Sequence, residues 1–568
     1  MSTGIKLFVS KFRRSVINFL HKHPRIAEAI ENWPPSHTFM NKQLIHSAVT
    51  ATVARPQAYT LWTPRPIEPH PINLIPAEPP VDYISLPGLV NRRFTGRHLP
   101  PAPASYNARL PDLDKVLALY ERKEFIPSTT CSALLCFFAQ WFTDSFLRKD
   151  PYDERLNTSN HEIDLCQIYG LDAETARMLR TLKNGKLRTS PDGRFPARLF
   201  GSHGIVLPDF GDLPYIQMHL QGRMIEDIVL WSLAKGGKED QEEVKQQEIL
   251  DRQRGLYATG LERGNSTVFY TAISSIFIRE HNRLCDLLAA AHPDWDDDRL
   301  FETARNINVV MGLNLTINEY INQLSRPPVK LRLDRSFAEK KPWYRGNRIA
   351  IEFSLLYRWH SFVPDMVEVE GEILKHTDYR FNNAVLEKYG AAALIAAASR
   401  QPGGQIGLRN NPPFLYQAEL AAHKFARSQR VRPFVEYQAA FGLTPVGSFE
   451  ELTGDPELAA KLYKLYNGEI RDVELLVGLF AQQRDMPEKI ILPLLLRVMV
   501  AVDAFSQILT NPLVSENVYG PDAFSEEGMK VIEETTSFDM LVARNRMGED
   551  YPNPASFAYP PPAVATLH

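Results

Sequence analysis

Residues 347–360 read NRIAIEFSLLYRWH, and their apolar side chains recur at helical spacing. The pattern predicts one amphipathic helix that ends in the tetrapeptide 357–360. Residues three apart on a helix share a face, so Tyr357 and His360 would lie one turn apart on the same side. A histidine can hold a haem iron, and a tyrosine beside a haem can be oxidised to a radical. Tyr and His on an apolar helix are more often core residues, so this pair alone does not identify a site.

A second motif lies upstream, where residues 278–285 read IREHNRLC on another helix-patterned segment. Further motifs run in a fixed order: FIP at 125–127, FFAQ at 137–140, DLCQIYG at 164–170, NEY at 318–320, FVEY at 434–437 and SFEELTG at 448–454. Together with the tetrapeptide 357–360, these blocks strongly resemble the animal haem peroxidase superfamily, and in particular its cyclooxygenase (prostaglandin synthase) branch. The resemblance covers about residues 80 to 510. Several independent motifs in one order are more specific than a single short pattern.

The composition permits a large helical enzyme and argues against a nucleic-acid-binding protein. The chain has 568 residues, a net charge of −3 and 44% hydrophobic residues. Helical patterns dominate the middle of the chain and strand signals are scarce, so we predict an all-α fold. We predict four segments: amphipathic membrane-binding helices and a channel entrance at 1–60, a proline-rich wrapping segment at 61–110, the catalytic domain at 111–550 and a coil tail at 551–568.

The first segment has the pattern of a basic amphipathic helix, and no acid precedes Glu28. Its apolar residues at helical spacing and its basic residues are Ile5, Phe8, Val9, Phe12, Val16, Phe19 and Leu20, with Lys6, Lys11, Arg13, Arg14 and Lys22. A helix of this kind lies in a membrane interface. Charges interrupt the apolar stretch, which argues against a signal peptide. We therefore expect a peripheral, monotopic membrane protein on the cytoplasmic side; an ordinary helix docked on the domain is the alternative.

The cysteine usage indicates a reduced compartment. The four cysteines, Cys131, Cys136, Cys166 and Cys285, form no CxxC pair and no dense framework. Animal cyclooxygenases carry a small disulfide-rich module ahead of the catalytic domain. Its lack here suggests a bacterial or otherwise simplified relative.

The resemblance assigns roles to the residues around the tetrapeptide. It implies that His360 is the proximal ligand of a non-covalent haem b, and that Arg358 and Trp359 contact the cofactor. It also implies that Tyr357 carries a radical, which suits abstraction of a hydrogen atom from a C–H bond that has no useful acidity. Tyr320 matches a family tyrosine that holds the radical tyrosine by a hydrogen bond; a plain core aromatic is the alternative.

The distal side departs from the family. Cyclooxygenases carry Gln-x-x-x-His there, and this chain has Gln140 followed by Asp144. Cleavage of a peroxide O–O bond needs a proton to move between its oxygens. A carboxylate can do this, as dye-decolourising peroxidases suggest, but it is less basic than imidazole. We therefore expect weak peroxidase activity.

The resemblance also outlines a lipid channel. Arg55 resembles the arginine at the channel mouth, where a cation would pair with a fatty-acid carboxylate; a plain surface arginine is the alternative. Ser506 matches the serine that aspirin acetylates, and Ile321, Val502 and Phe505 would line the channel. Val502 occupies a glycine position of cyclooxygenases, which favours simple oxygenation over ring closure.

The function implied by the resemblance is a haem-dependent fatty-acid dioxygenase. Its substrates would be O2 and a long-chain unsaturated fatty acid taken from one leaflet of a membrane, and its product a fatty-acid hydroperoxide. Alternatives are another peroxide-driven oxidation, such as hydroxylation, desaturation or decarboxylation, and a haem- or lipid-binding protein without turnover. A homodimer is left open. We expect the charged residues of the REHNR block to form a structural polar network, because buried charges need partners.

Overall fold

The computed structural model describes residues 15–17, 19–51, 95–150, 153–235, 242–344, 348–484 and 490–561. Most of these residues are helical, as the predicted all-α class requires. The α-helices before residue 320 are Pro24–Asn32, Pro34–Val49, Ala104–Asn107, Leu113–Leu117, Ala133–Thr143, Cys166–Tyr169, Ala173–Leu179, Ile216–Gln221, Arg223–Lys235, Glu242–Arg254, Val268–Ala291 and Asp297–Leu315. Arg55 and the predicted helical residues before residue 15 lie outside the described ranges.

The second half of the chain is built from shorter helices. They are Asn322–Ser325, Ile351–Leu356, His376–Tyr379, Asn383–Tyr389, Ala391–Ser399, Tyr416–Ser428, Phe434–Ala440, Phe449–Thr453, Pro456–Leu465, Leu475–Ala481, Leu494–Leu509, Pro521–Glu534 and Phe538–Arg544. Short 3-10 turns occur at Pro208–Phe210, Glu262–Asn265, His360–Phe362, Pro413–Leu415, Ile470–Asp472 and Pro512–Val514, and Thr316–Ile321 forms a π-helical turn.

Two small antiparallel sheets complete the described part. Pro127–Ser132 pairs with Pro402–Gly404, and Met366–Val369 pairs with Glu372–Lys375. The second pair is a hairpin whose two turn residues, Glu370 and Gly371, have φ angles of 50° and 83°. Positive φ at both positions is the geometry of a type I′ turn, whose twist matches that of the flanking strands.

The core is organised around the long helix Val268–Ala291. Thr267 caps this helix, since its side chain accepts a hydrogen bond from Tyr270 N at 3.1 Å. The helix packs against Ala133–Thr143, Asp297–Leu315 and Ala391–Ser399. The last of these reads AAALIAAAS, and all nine residues are buried. Its small side chains allow its backbone to approach that of Val268–Ala291 closely. These two helices lie at the centre of the domain.

The charged REHNR block does form a polar network in the structure. Arg279 Nη2 donates to Glu549 Oε1 at 2.6 Å. The Glu280 carboxylate accepts hydrogen bonds from Arg283 and Arg544 at 2.7 and 2.8 Å. These contacts join the central helix to the C-terminal segment, and they give the buried carboxylate of Glu280 two cationic partners.

The predicted single helix over residues 347–360 is wrong in its extent. The helix covers only Ile351–Leu356, Tyr357 is its C-cap, and His360 begins the 3-10 turn His360–Phe362. Before the helix, Gly96 pairs with the extended chain, donating N–H to Ile349 O at 2.7 Å and accepting from Ile351 N at 2.9 Å. Tertiary hydrogen bonds therefore override the local helical pattern at the start of this stretch.

His281 makes the stability of the fold sensitive to pH. Its ring contacts Tyr169 Oη at 3.0 Å and Gly185 O at 2.9 Å. Burial lowers the pKa of His281 to about 4, and the contact with the Gly185 carbonyl opposes the change only in part. Between about pH 6.5 and pH 4, the unfolded chain binds a proton at this residue that the folded chain does not. The free energy of unfolding should therefore fall as the pH falls through this window, by about 3 kcal/mol from His281.

Replacing His281 with Gln removes this titrating group. Denaturant unfolding of the variant, measured at intervals from pH 7 to pH 5, should show a smaller loss of stability than the wild type. The exposed loop residue His203 supplies the control, because His203→Gln should keep the wild-type slope. Equal slopes in all three proteins would refute the assignment.

Candidate active site

His360 is oriented by a buried carboxylate. Its Nδ1 donates to Glu419 Oε2 at 2.6 Å, and Glu419 lies on the helix Tyr416–Ser428. Asn411 Nδ2 donates to the same oxygen at 2.6 Å. Burial alone would raise the pKa of Glu419, but the hydrogen bond from His360 and the nearby imidazole of His423 outweigh it and lower the pKa to about 2. The carboxylate is therefore ionised, and Nε2 of His360 is the ring nitrogen left to bind a metal.

Tyr357 follows the helix Ile351–Leu356, and its side chain packs among aromatic rings. Its ring centroid lies 5.2 Å from that of Phe353 and 4.9 Å from that of Trp359. Burial raises the pKa of Tyr357, the carboxylate of Asp503 raises it further, and the hydroxyl of Tyr320 opposes the rise. Tyr357 thus remains a neutral phenol that holds its hydrogen at neutral pH.

Tyr320 faces Tyr357 from a π-helical turn. Residues 316–321 form this turn directly after the helix Asp297–Leu315, and such turns occur frequently at functional sites. Tyr320 is 1% exposed, and its hydroxyl makes no aligned hydrogen bond with any described residue. The structure therefore brings the two predicted tyrosines together, with the Tyr320 hydroxyl free to pair with Tyr357.

The predicted distal residues lie on one helix. Gln140 belongs to the helix Ala133–Thr143, and Asp144 is its C-cap. Arg263 Nη1 lies 3.4 Å from Asp144 Oδ1, and Asp144 Oδ2 is buried without a hydrogen-bond partner among the described residues. Burial raises the pKa of Asp144, and the positive charge of Arg263 opposes the rise. Gln140 Nε2 contacts Ser266 Oγ at 3.4 Å.

Arg358 connects the two sides of the site. Burial lowers the pKa of its guanidinium, and the charges that act on it include Arg263, Glu419 and Asp144. Its Nε is buried and has no hydrogen-bond partner among the described residues. Charges of both the proximal and the distal groups therefore act on Arg358.

These features fit a haem. The Nε2 of His360 can bind the iron, and the unpaired guanidinium N–H of Arg358 can bind a carboxylate of the porphyrin. The buried indole of Trp359 supplies an apolar surface, and its Nε1 also lacks a partner within the described residues. The residues present thus offer a metal ligand, a carboxylate donor and an aromatic wall.

Among the predicted channel residues, Val502, Phe505 and Ser506 share one helix, and Ile321 lies on the π-helical turn beside Tyr320. Val502 and Phe505 are buried on the helix Leu494–Leu509, which packs against the helix Ile351–Leu356. Ile321 is 6% exposed and follows Tyr320 in the chain. Ser506 Oγ donates to the carbonyl of Val502 at 2.8 Å, within its own helix. Arg55 lies outside the described residues, so its place at a channel mouth stays a prediction.

Sequence reasoning missed the charged partners of the site. Glu419 and His423 stand four residues apart on one helix, and this Glu-x-x-x-His spacing was the only signal that could have marked them. Arg263 reaches Asp144 from a 3-10 turn. Asp503 pairs with His98 Nε2 at 2.9 Å across more than four hundred residues, a contact that no local pattern encodes.

Comparison with known proteins shows to which family the chain belongs. The family model for animal haem peroxidases matches residues 220–556, a span that contains Tyr357 and His360. Rabbit prostaglandin G/H synthase 1 is 32% identical over 497 residues, covering 83% of this chain and 74% of the relative. Rabbit prostaglandin G/H synthase 2 is 31% identical over 500 residues, covering 85% of this chain and 75% of the relative.

The chain belongs to the animal haem peroxidase family. Haem is the cofactor of that family, and the protein is an oxidoreductase of the haem peroxidase superfamily. Among solved structures, the fatty acid alpha-dioxygenase of Oryza sativa has a TM-score of 0.65 at 14% identity, covering 96% of this chain and 94% of that one. The corresponding enzyme of Arabidopsis thaliana has a TM-score of 0.64 at 17% identity, covering 95% and 94%. This haem peroxidase family member therefore has the peroxidase and cyclooxygenase fold.

Haem binding by this family member should depend on His360. His360→Ala should lower haem occupancy about tenfold or more, since even residues that only support a metal ligand are worth about 10- to 100-fold. Occupancy is measured from the Soret absorbance per protein after reconstitution with haem. His203→Ala, in an exposed loop, should retain full occupancy. Full occupancy in His360→Ala would remove this residue as the proximal ligand.

Proposed function

We propose that this protein is a haem-dependent fatty-acid dioxygenase that works through a radical on Tyr357. The observation that carries the proposal is the position of Tyr357 between the haem-binding residues and the helix Leu494–Leu509. Trp359 touches it on the haem side, while Asp503 acts on it from that helix. Bound haem b, held without a covalent link, would supply the one-electron oxidation of the phenol. Relatives named as prostaglandin synthases and a fold shared with fatty acid alpha-dioxygenases support fatty-acid oxygenation.

The proposed steps balance around one hydrogen atom. The Tyr357 radical takes a hydrogen atom from a C–H bond of an unsaturated fatty acid, which leaves a carbon radical. O2 adds to that carbon, and the resulting peroxyl radical takes the hydrogen atom back from Tyr357. The product is a fatty-acid hydroperoxide, and the tyrosyl radical is restored. Tyr320 would hold the phenol in position by a hydrogen bond between the two hydroxyls.

The charge near Tyr357 favours a reaction far from the fatty-acid carboxylate. Asp503 is the anionic group that raises the pKa of Tyr357, and it is paired with His98. A second carboxylate placed beside it would meet a like charge in a poorly solvated site. We therefore propose abstraction from an allylic or bis-allylic carbon in the chain, with the carboxylate held near the channel entrance, where Arg55 is the proposed partner.

The distal side supports only slow peroxide cleavage in this proposal. Asp144 would move the proton between the peroxide oxygens, and Arg263 would hold its carboxylate. Occasional cleavage is enough, because each dioxygenase cycle restores the tyrosyl radical. The hydroperoxide should therefore leave the enzyme without reduction to the alcohol.

Tyr357→Phe tests the radical mechanism. The variant should keep its haem but lose at least about 99% of its oxygen uptake with linoleate, because phenylalanine has no O–H bond to form the radical. Oxygen uptake is followed with an electrode, and products are identified by mass spectrometry. Tyr106→Phe is the matched control, since Tyr106 is also buried and its hydroxyl contacts Asp472 O. Undiminished uptake in Tyr357→Phe would favour direct oxidation by the haem instead.

We also propose that the protein binds one leaflet of a membrane, on the cytoplasmic side. Within the described residues, no helix is long and apolar enough to cross a bilayer. The helix Pro34–Val49 docks on the domain through one face, where His37 Nε2 contacts Lys330 O at 2.8 Å and Asn41 Nδ2 donates to Arg332 O at 3.0 Å. The large apolar side chains that remain exposed in the described residues up to 51 are Phe19, Ile26, Trp33 and Phe39, with exposed fractions of 49%, 44%, 63% and 63%. Such side chains support interfacial binding.

Replacing these four residues with Ser should weaken binding to phosphatidylglycerol-containing vesicles about 100-fold or more. Each large apolar side chain contributes about 1.5–3 kcal/mol on full burial, and about 1.4 kcal/mol corresponds to tenfold. Binding is measured by co-sedimentation. The control carries Ser at three apolar positions exposed elsewhere, Ile205, Met366 and Ile373. Equal losses in the two variants, or none in either, would count against this membrane face.

A further inference from the structure

Glu419 stands between two histidines in the interior of the domain. Its Oε2 accepts from His360 Nδ1 at 2.6 Å, and its Oε1 lies 3.4 Å from His423 Nε2. We propose that Glu419 is a positioning residue that acts through His360 to hold the bound haem iron in its ferric state. The inference rests on the proposed role of His360 as the haem ligand, and it adds a specific control of the cofactor's redox behaviour.

The hydrogen bonds at Oε2 support this role. His360 and Asn411 both donate to this one oxygen at 2.6 Å, and Glu419 is only 2% exposed. Asn411 therefore fixes the carboxylate in front of the imidazole. A carboxylate that accepts from one imidazole nitrogen sets the tautomer of the ring and makes the other nitrogen a stronger donor to a metal. A stronger donor stabilises ferric iron relative to ferrous iron.

His423 extends the arrangement on the other side of the carboxylate. It is fully buried four residues after Glu419 on the same helix, and its ring packs edge-on against Tyr120 at 5.2 Å. Neither ring nitrogen has an aligned hydrogen bond to a described residue, and Glu419 Oε1 lacks one as well. The carboxylate oxygen is the nearby acceptor for an N–H of His423. The buried carboxylate thus has an imidazole beside each of its oxygens, which compensates the cost of burying its charge.

The consequence for the proposed reaction concerns where O2 reacts: at the haem iron or at the carbon radical of the substrate. Ferrous haem binds O2, whereas ferric haem is the form that reacts with peroxide. A proximal ligand that disfavours the ferrous state leaves O2 for the carbon radical of the substrate. The same electron donation assists peroxide cleavage on the side where Asp144 replaces the distal histidine of cyclooxygenases.

The test is the ferrous-to-ferric ratio of the full-length holoprotein at fixed solution potentials. Glu419→Gln keeps the shape of the side chain and removes its charge. It should raise the ratio at least about tenfold at a given potential, equivalent to about 59 mV for one electron. The iron–histidine stretching band of the ferrous protein should shift to lower frequency. Glu474→Gln is the matched control, because it removes a buried carboxylate that pairs with Arg427 instead; its ratio should equal that of the wild type.

Two further variants test how the ferrous-to-ferric ratio depends on the charge of Glu419 and on His423. Glu419→Asp restores the charge, so its ratio should lie closer to the wild type than that of Glu419→Gln. His423→Gln should raise the ratio in the same direction by a smaller factor. A Glu419→Gln protein that binds haem with an unchanged ratio and stretching band would overturn the inference. If that variant binds no haem, His423→Gln decides: a raised ratio supports the inference, and an unchanged one overturns it.

The same measurements separate this inference from the proposed function. A wild-type protein that binds no haem would remove both. Normal haem binding and Tyr357-dependent oxygen uptake, with no redox effect in either Glu419→Gln or His423→Gln, would leave the dioxygenase intact and remove only the role of Glu419.

Discussion

The buried guanidinium of Arg122 holds the turn on which the whole site depends. It donates to Ser361 O at 3.2 Å and Val363 O at 2.9 Å, and it lies 2.8 Å from the carboxylate of Asp365. Its Nε donates to Asn410 O at 2.8 Å. The segment that carries His360 is therefore fixed to the segment that leads into the helix of Glu419. Without this clamp, the short chain after the helix Ile351–Leu356 would have few partners to fix the imidazole direction.

From this turn, polar contacts extend in two directions. On the proximal side, Glu419 ties His360 to the helix Tyr416–Ser428. On the opposite side, the charges of the proximal carboxylate and of the Asp144–Arg263 pair both act on Arg358. Glu419 and Asp144 each have a hydrogen-bonding or cationic partner close by, which is what a low-dielectric interior requires. The ionised groups lie near the residues proposed to hold the haem, while the charge that acts on the phenol of Tyr357 is that of Asp503.

The sequence was informative wherever chemistry depends on neighbouring residues or on motif order. Tyr357, Arg358, Trp359 and His360 were identified from one short block, and Gln140 with Asp144 from another. In the structure the charge of Asp144 acts on Arg358, and the common active site stays a proposal. The helix predicted over residues 347–360 is wrong at its start, because strand-like bonds to Gly96 hold the chain in an extended conformation there. These bonds join residues far apart in the chain, so no periodicity could show them.

The sequence by itself determined the helical class, the family and the side chains that can do radical chemistry, because residue type and motif order survive without coordinates. Only the tertiary structure decided how those side chains are controlled. Glu419 reaches His360 across 59 residues, and His98 reaches Asp503 across 405. Such pairs form because buried charges need partners. The packing of the whole core decides which charged residues come close together.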